Sequence, residues 1–181
     1  MEIYEPREDS ELIVEQVDKL VKKGMKALDV GTGSGIIAAA LLKKTSDVTG
    51  SDVNPYAVSY CRKKYPKAKF IQSNLFEDIR GKFDVITFNP PYLPEHKGED
   101  LETALMTTGG AKGYELLLKF LKQAKEHLTS NGFIITVFST ITHEDIVFKE
   151  AEKLGYEHEI LSTKKLFFET LFCVKFFLAK H

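Results

Sequence analysis

Short apolar runs alternate with stretches of helical period from one end of this 181-residue chain to the other, and that alternation limits the fold more than anything else in it. Apolar runs of strand length suit strands buried on both faces. Their repetition with amphipathic segments between predicts an α/β fold, a doubly wound sheet with helices on both sides. The predicted strands are Lys26 to Val30, Asp47 to Asp52, Lys69 to Gln72, Phe83 to Phe88, Phe133 to Phe138, Tyr156 to Leu161 and Glu169 to Ala179. Helices are expected over Ser10 to Lys22 with Ser10 as N-cap, over Ile36 to Lys44, from Pro55 with Asn54 capping, over Gly113 to Leu128 and over His143 to Leu154. No helical segment separates the last two strands, so they should pair antiparallel. The expectation is one domain over residues 1–181, a seven-stranded sheet with a reversed last strand.

In such sheets ligands gather outside the carboxyl ends of the strands, near the point where strand order reverses. Several polar signals fall on that rim. The first strand runs into Asp29-Val30-Gly31-Thr32-Gly33-Ser34-Gly35 and then into a helix. Glycines there allow a tight turn and close backbone approach, and the helix start offers unpaired N–H groups. The spacing is G-x-G-x-G, whereas a dinucleotide site, with a pyrophosphate to cradle, calls for G-x-G-x-x-G. S-adenosyl-L-methionine, which has no phosphate but carries an α-amino group for Asp29 to meet, fits better. Asp52 closes the second strand about 20 residues past the glycines, where a ribose-binding acid is required. Asn74 and Leu75, after the third strand, are the expected adenine contacts.

The fourth strand delivers Asn89-Pro90-Pro91-Tyr92 to the same rim. Each proline fixes its own φ and pushes its predecessor toward extended backbone, so the corner is stiff. It offers two acceptors, the Asn89 side-chain oxygen and the Pro90 carbonyl, beside the flat ring of Tyr92. That set suits a planar NH₂ group. The tetrapeptide alone fits an ordinary strand-ending turn equally well, and its neighbours on the rim favour the functional reading.

Composition removes other classes. Apolar residues are 43% and charged residues 28% of the chain, the profile of a water-soluble globular domain. Cys61 and Cys173 have no C-x-x-C spacing, and His96, His127, His143, His158 and His181 have no paired ligand spacing, so no metal is expected. The first residues have neither a basic nor an apolar signal segment, and the greasy stretch Leu171 to Ala179 is interrupted by Lys175. A cytoplasmic location and no membrane contact are expected. The net charge of −1 and the acidic stretch Pro94 to Glu102 would repel a phosphate backbone. That sets adenine-N6 and other exocyclic-amine nucleic-acid methylation behind. Lysine methylation and a non-catalytic cofactor-binding scaffold stay as further alternatives, the first disfavoured by two rigid acceptors and the second by the intact Asn89 corner.

Gly31-Thr32-Gly33-Ser34-Gly35, Asp52-Val53-Asn54-Pro55 and Asn89-Pro90-Pro91-Tyr92 together resemble the HemK-like glutamine-N5 methyltransferases, a class I S-adenosylmethionine-dependent, Rossmann-like family. Tyr4-Glu5-Pro6-Arg7-Glu8-Asp9-Ser10 resembles the Y-x-P-x-E-D-S/T entry of the short archaeal and eukaryotic branch, and Gly109-Gly110 with Gly113 resembles the segment after NPPY. The resemblance implies methylation of the glutamine in the GGQ motif of class I release factors. It implies Ser10, Asp29, Gly31, Gly33, Asp52, Asn74, Leu75 and Asn89 as cofactor contacts, and Asn89, Pro90, Pro91 and Tyr92 as the clamp on the substrate amide. Many relatives carry aspartate where this chain has Asn74, so that contact loses a charge and keeps an acceptor. The resemblance implies the short branch's form, without the bacterial members' extra N-terminal helical domain. The resemblance also implies a small zinc-binding activator subunit docking on the sheet's edge strand, Lys69 to Gln72 in this topology, which would otherwise be an uncovered edge.

Overall fold

The computed structural model describes residues 7–92 and 108–180. Tyr4, Glu5 and Pro6 of the entry motif and the acidic stretch Pro94 to Glu102 lie outside them. Seven strands form one sheet: β1 (Lys26–Val30), β2 (Asp47–Asp52), β3 (Lys69–Gln72), β4 (Phe83–Phe88), β5 (Leu128–Ser139), β6 (Tyr156–Lys165) and β7 (Thr170–Leu178). Five helices accompany them: α1 (Glu8–Leu20), α2 (Ile36–Lys44), α3 (Pro55–Lys64), α4 (Glu115–Ala124) and α5 (Glu144–Lys153). Strand order is β3-β2-β1-β4-β5-β7-β6, parallel from β3 through β5, with β7 inserted antiparallel between β5 and β6. The order reverses between β1 and β4, which places the switch point under the glycine turn and Asn89.

Alternation along the strands splits the core into two layers. In β5, Phe133, Ile135 and Val137 join Leu12, Ile13 and Val17 of α1 and Ile37, Ala38 and Leu41 of α2. Ile134 and Phe138 face the other way, toward Leu117, Phe120, Leu121 and Ala124 of α4. The α4 spacing of i, i+3, i+4 and i+7 makes one continuous apolar stripe, so its burial follows from pattern alone. Among the described residues no helix is long and apolar enough to cross a membrane.

Four elements differ from expectation by more than a residue, each for a local reason. Helix α1 begins at Glu8 with Arg7 as N-cap, and Ser10 is not the cap. Glu8, Asp9 and Glu11 complement the positive end of the helix, which frees the Ser10 hydroxyl to turn inward. Helix α4 is shorter than Gly113 to Leu128, because Gly113 sits at φ 87° before it and Lys125–His127 tighten to a 3₁₀ turn after it. Strand β5 starts at Leu128, since Gly132 lets the chain pass so close to Phe83 that a Cβ would lie 2.8 Å from its carbonyl oxygen. Strand β6 runs on to Lys165 because β7 pairs with it beyond Leu161, past an irregularity between Ile160 and Ser162.

Candidate active site

Two half-sites meet at the carboxyl rim of β1, β2 and β4. On the first side the chain leaves β1 through Gly31, Gly33 and Gly35, all at positive φ (64°, 52° and 78°). Gly35 is the left-handed N-cap of α2, and a Cβ there would lie 2.5 Å from the Tyr65 ring and 2.9 Å from Cys61 Sγ. Conformation and space both demand glycine. The turn is pinned to β2 by the Thr32 N–H, which donates to the Ser51 carbonyl at 2.8 Å, and by the Gly33 N–H, which donates to Asp52 Oδ2 at 2.8 Å. Asp52 Oδ1 accepts the Asn54 N–H at 2.9 Å. Burial raises the Asp52 carboxyl above its ordinary range, and the Asn54 and Gly33 donors pull against it.

Asp29 is wholly buried beneath this turn. Its Oδ2 accepts from the Thr32 hydroxyl at 2.7 Å and its Oδ1 from the Thr87 hydroxyl at 2.8 Å. Burial outweighs those bonds and pushes its pKa up to about 6, with the Asp52 charge adding to the rise. Asp29 thus ties β1, β4 and the glycine turn together. Thr32 and Thr87 were missed as site residues. Thr87 had one signal, a hydroxyl in the middle of a run predicted to be buried on both faces.

After β3 the chain makes a strained step. Leu75 is a buried non-glycine residue at φ 51°. The Ser73 hydroxyl brackets it, donating to the Leu75 carbonyl at 3.1 Å and accepting the Asp78 N–H at 3.0 Å. Such left-handed positions persist where the surroundings over-determine them, which happens most at ligand sites. Asn74 is exposed, its Nδ2 donating to Glu77 Oε1 at 2.9 Å.

The acceptor side is built differently. Asn89 Nδ2 donates to Ser10 Oγ at 3.1 Å, and Ser10 is 2% exposed. Among the described residues Asn89 Oδ1 is buried with no hydrogen-bond partner. A buried acceptor without a donor is costly and rare, so one in a native corner calls for an incoming donor. Pro90 is buried, Pro91 is half-buried, and Tyr92 is half-buried against the apolar layer of α1. Gly109 lies against this corner: a Cβ on it would collide with the Gly113 carbonyl and lie 2.7 Å from the Pro91 oxygen. Its carbonyl accepts the Leu116 N–H at 2.9 Å, fastening the corner to α4. The Tyr92 hydroxyl is pushed well above its usual pKa, first by burial and then by the charges of Asp9 and Glu169. Among the described residues Glu169 Oε2 is also buried without a partner, as are the hydroxyls of Ser51 and Thr136. No sequence pattern pointed to Glu169.

With this geometry in view, residues 7–165 match the model of the methyltransferase small domain family. The chain belongs to that family. Within this methyltransferase family, a protein of Methanocaldococcus jannaschii provisionally named a protein N5-glutamine methyltransferase is 35% identical over 96% of this chain and 90% of its own. That match bears out the HemK-like resemblance. A release factor glutamine methyltransferase of Fusobacterium nucleatum is 34% identical over 71% of this chain and 42% of its own length, so the chain spans about half of such bacterial relatives. Mtq2, in the E. cuniculi Mtq2–Trm112 complex responsible for methylation of the eRF1 termination factor, superposes with a TM-score of 0.81 at 26% identity, covering 99% of this chain and all of that one. A ribosomal protein L11 methylase of Lactobacillus delbrueckii, TM-score 0.71 at 18% identity, shares the fold, covering 96% of this chain and 80% of its own. The expected class I methyltransferase architecture with its reversed last strand is the one observed.

Proposed function

We propose that this chain transfers a methyl group from S-adenosyl-L-methionine to the side-chain amide nitrogen of a glutamine, that of the GGQ motif in a class I release factor. The observation that carries the reading is Asn89 Oδ1, a buried acceptor left without a donor on a corner stiffened by two prolines. A glutamine amide brings two N–H donors in one plane, and Asn89 Oδ1 and the Pro90 carbonyl take one each. The names of the Fusobacterium and E. cuniculi relatives support the same substrate class.

The residues present fit the cofactor. Gly31 and Gly33 expose backbone on a turn shaped by positive φ, Asp52 ends β2 beside it, and Asn74 and Leu75 close the rim after β3. When bound there, the cofactor supplies a sulfonium methyl group, an electrophile that reacts by in-line displacement. The work of the protein is to aim and to polarise. An amide nitrogen is a weak nucleophile because its lone pair is delocalised into the carbonyl, so fixed acceptors raise its electron density and stabilise the positive charge that grows on it. Ser10 holds the Asn89 amide so that Oδ1, not Nδ2, faces the substrate. Tyr92 packs on the amide plane. The methylated nitrogen sheds its proton readily, so no side chain of tuned pKa is required as base.

The decisive assay uses labelled cofactor and a matched pair of release factors, one with GGQ and one with the glutamine replaced. Label on the first alone is expected; label on both or on neither refutes the substrate.

A small zinc-binding activator subunit docking on β3 belongs to the same reading, supported by the Mtq2–Trm112 pairing in E. cuniculi. The edge has a latch of its own. The Ser73 N–H points to the Asp52 carbonyl on β2, so Phe70 and Gln72 turn their backbone groups outward. The Arg62 guanidinium covers the Phe70 carbonyl with bonds of 2.8 and 3.1 Å. A docking strand displaces Arg62 and takes its place. Gln72→Pro removes an outward N–H and leaves the β2 ladder intact. It should abolish co-purification with the activator while thermal unfolding stays within a few degrees.

A further inference from the structure

The hairpin joining β6 to β7 ends in two bare aromatic residues. Phe167 is 92% and Phe168 88% exposed, and their rings meet edge to face at 4.7 Å. Scattered apolar residues on a surface need no explanation, but an adjacent aromatic pair with almost no cover does. The Leu166 N–H donates to the Glu169 carbonyl at 2.8 Å, so the two phenylalanines occupy the middle of the turn. Tight hairpins place Gly, Asn or Asp there to reach positive φ. Neither phenylalanine is at positive φ. Local turn preference has been given up for aromatic surface, and such departures concentrate where function requires them.

The tip also stands in a particular place. Strand β7 runs antiparallel to β5, with Leu171 opposite Ser139 at the carboxyl end of β5, and the Thr170 N–H donates to the Thr140 hydroxyl at 3.1 Å. The hairpin therefore rises from the same rim as Asn89, on the acceptor side of the switch point. Its base is anchored: Leu161 and Leu166 pack in the layer that holds Tyr92, and Gln16 Nε2 of α1 donates to Ser162 Oγ at 3.3 Å. Glu169, next after the aromatic pair, contributes the unpartnered buried Oε2.

We propose that Phe167 and Phe168 form a docking knob for the polypeptide substrate, seating the release factor beside the Asn89 corner. The proposal rests on the function given above and adds where the protein substrate is gripped. Two of the buried oxygens without a partner among the described residues, Asn89 Oδ1 and Glu169 Oε2, choose the class of partner. Both need donors, which a polypeptide supplies through backbone and side-chain N–H groups. Nucleic acid would bring phosphate oxygens, acceptors with negative charge, against a carboxylate. Rigid aromatic anchors at a rim next to a buried polar pocket are the usual hot spots of protein recognition.

The test compares the wild type, F167A/F168A and F167Y/F168Y, each in complex with the activator, on the intact release factor. Steady-state methylation at saturating cofactor and direct titration of release factor are measured for each. F167A/F168A should raise KM and Kd for the release factor at least tenfold, with kcat within about twofold and cofactor affinity unchanged. F167Y/F168Y should behave as the wild type. Unchanged release-factor Kd in F167A/F168A overturns the docking claim even where methylation proceeds. A wild type that binds the factor through the aromatic pair but does not methylate it refutes the function while leaving the docking surface standing. One that neither binds nor methylates it takes down both. Loss of single-stranded RNA binding in F167A/F168A, with release-factor Kd intact, would reassign the knob to nucleic acid.

Discussion

The two half-sites share one rim and are finished to different degrees. On the glycine-turn side both carboxylates are engaged: Asp29 by the Thr32 and Thr87 hydroxyls, Asp52 by the Gly33 and Asn54 amides. On the acceptor side Asn89 Oδ1 and the carboxylate oxygen Glu169 Oε2 are buried with no partner among the described residues, whereas the unpartnered buried atom on the glycine-turn side, Ser51 Oγ, belongs to a neutral hydroxyl. The carboxylates of the first half are held by its own bonds. The second is stiffened by prolines and by the close approach of Gly109, yet its strongest acceptors are left open. Under the proposed function the difference divides the labour: a cradle must keep its shape between turnovers, whereas a clamp that discriminates amides must be costly to leave empty of donors.

Breaking the clamp should have the largest effect. Asn89→Ala is expected to lower turnover on the release factor roughly 10²- to 10³-fold, as removal of one pre-organised polar group does elsewhere, while cofactor affinity by calorimetry stays within about twofold. Near-normal turnover would erase the contrast between the halves. Gly109→Ala comes next, because its methyl group must displace the Pro91 and Gly113 carbonyls. A shift of the corner by even a fraction of an ångström should cost about tenfold in kcat, again with cofactor affinity spared. Equal loss of cofactor binding would show that the two halves are one unit.

The smallest effect sharpens the other half. Burial raises the folded-state pKa of Asp29 from 3.8 to about 6, so folding takes up a proton in that window. Stability from the protonated carboxyl is complete below the unfolded value and is lost as pH rises through about 6. Asp29→Asn has no such titration. The wild type should therefore lose about 2 kcal/mol relative to D29N between pH 4 and pH 7 in urea unfolding. A flat difference would mean that Asp29 is not the buried tie between the strands and the turn.

Much of this was legible beforehand because it depends on short-range rules. Strands β1 to β4 lie where the apolar runs put them, and Asn54 with Pro55 starts α3 as local capping rules require. The edge position of β3, implied by the family resemblance, is the one observed. Illegible were features that depend on what a residue meets from a distance. Ser10 reads as a helix cap, and only its encounter with Asn89, 79 residues away, makes it part of the site. Thr87 reads as strand filler until its hydroxyl donates to Asp29. Ser162 to Lys165 read as loop because their polarity hides the pairing that β7 imposes.

Periodicity, turn chemistry and the three rim motifs determined the sheet, its winding and the family to which the chain belongs, since each is written in neighbouring residues. Tertiary structure alone decided which polar atoms are satisfied and which are left open, because a hydrogen bond's partner is set by packing of segments far apart in the chain. It also decided that the reversed strand would lift Phe167 and Phe168 onto the acceptor rim.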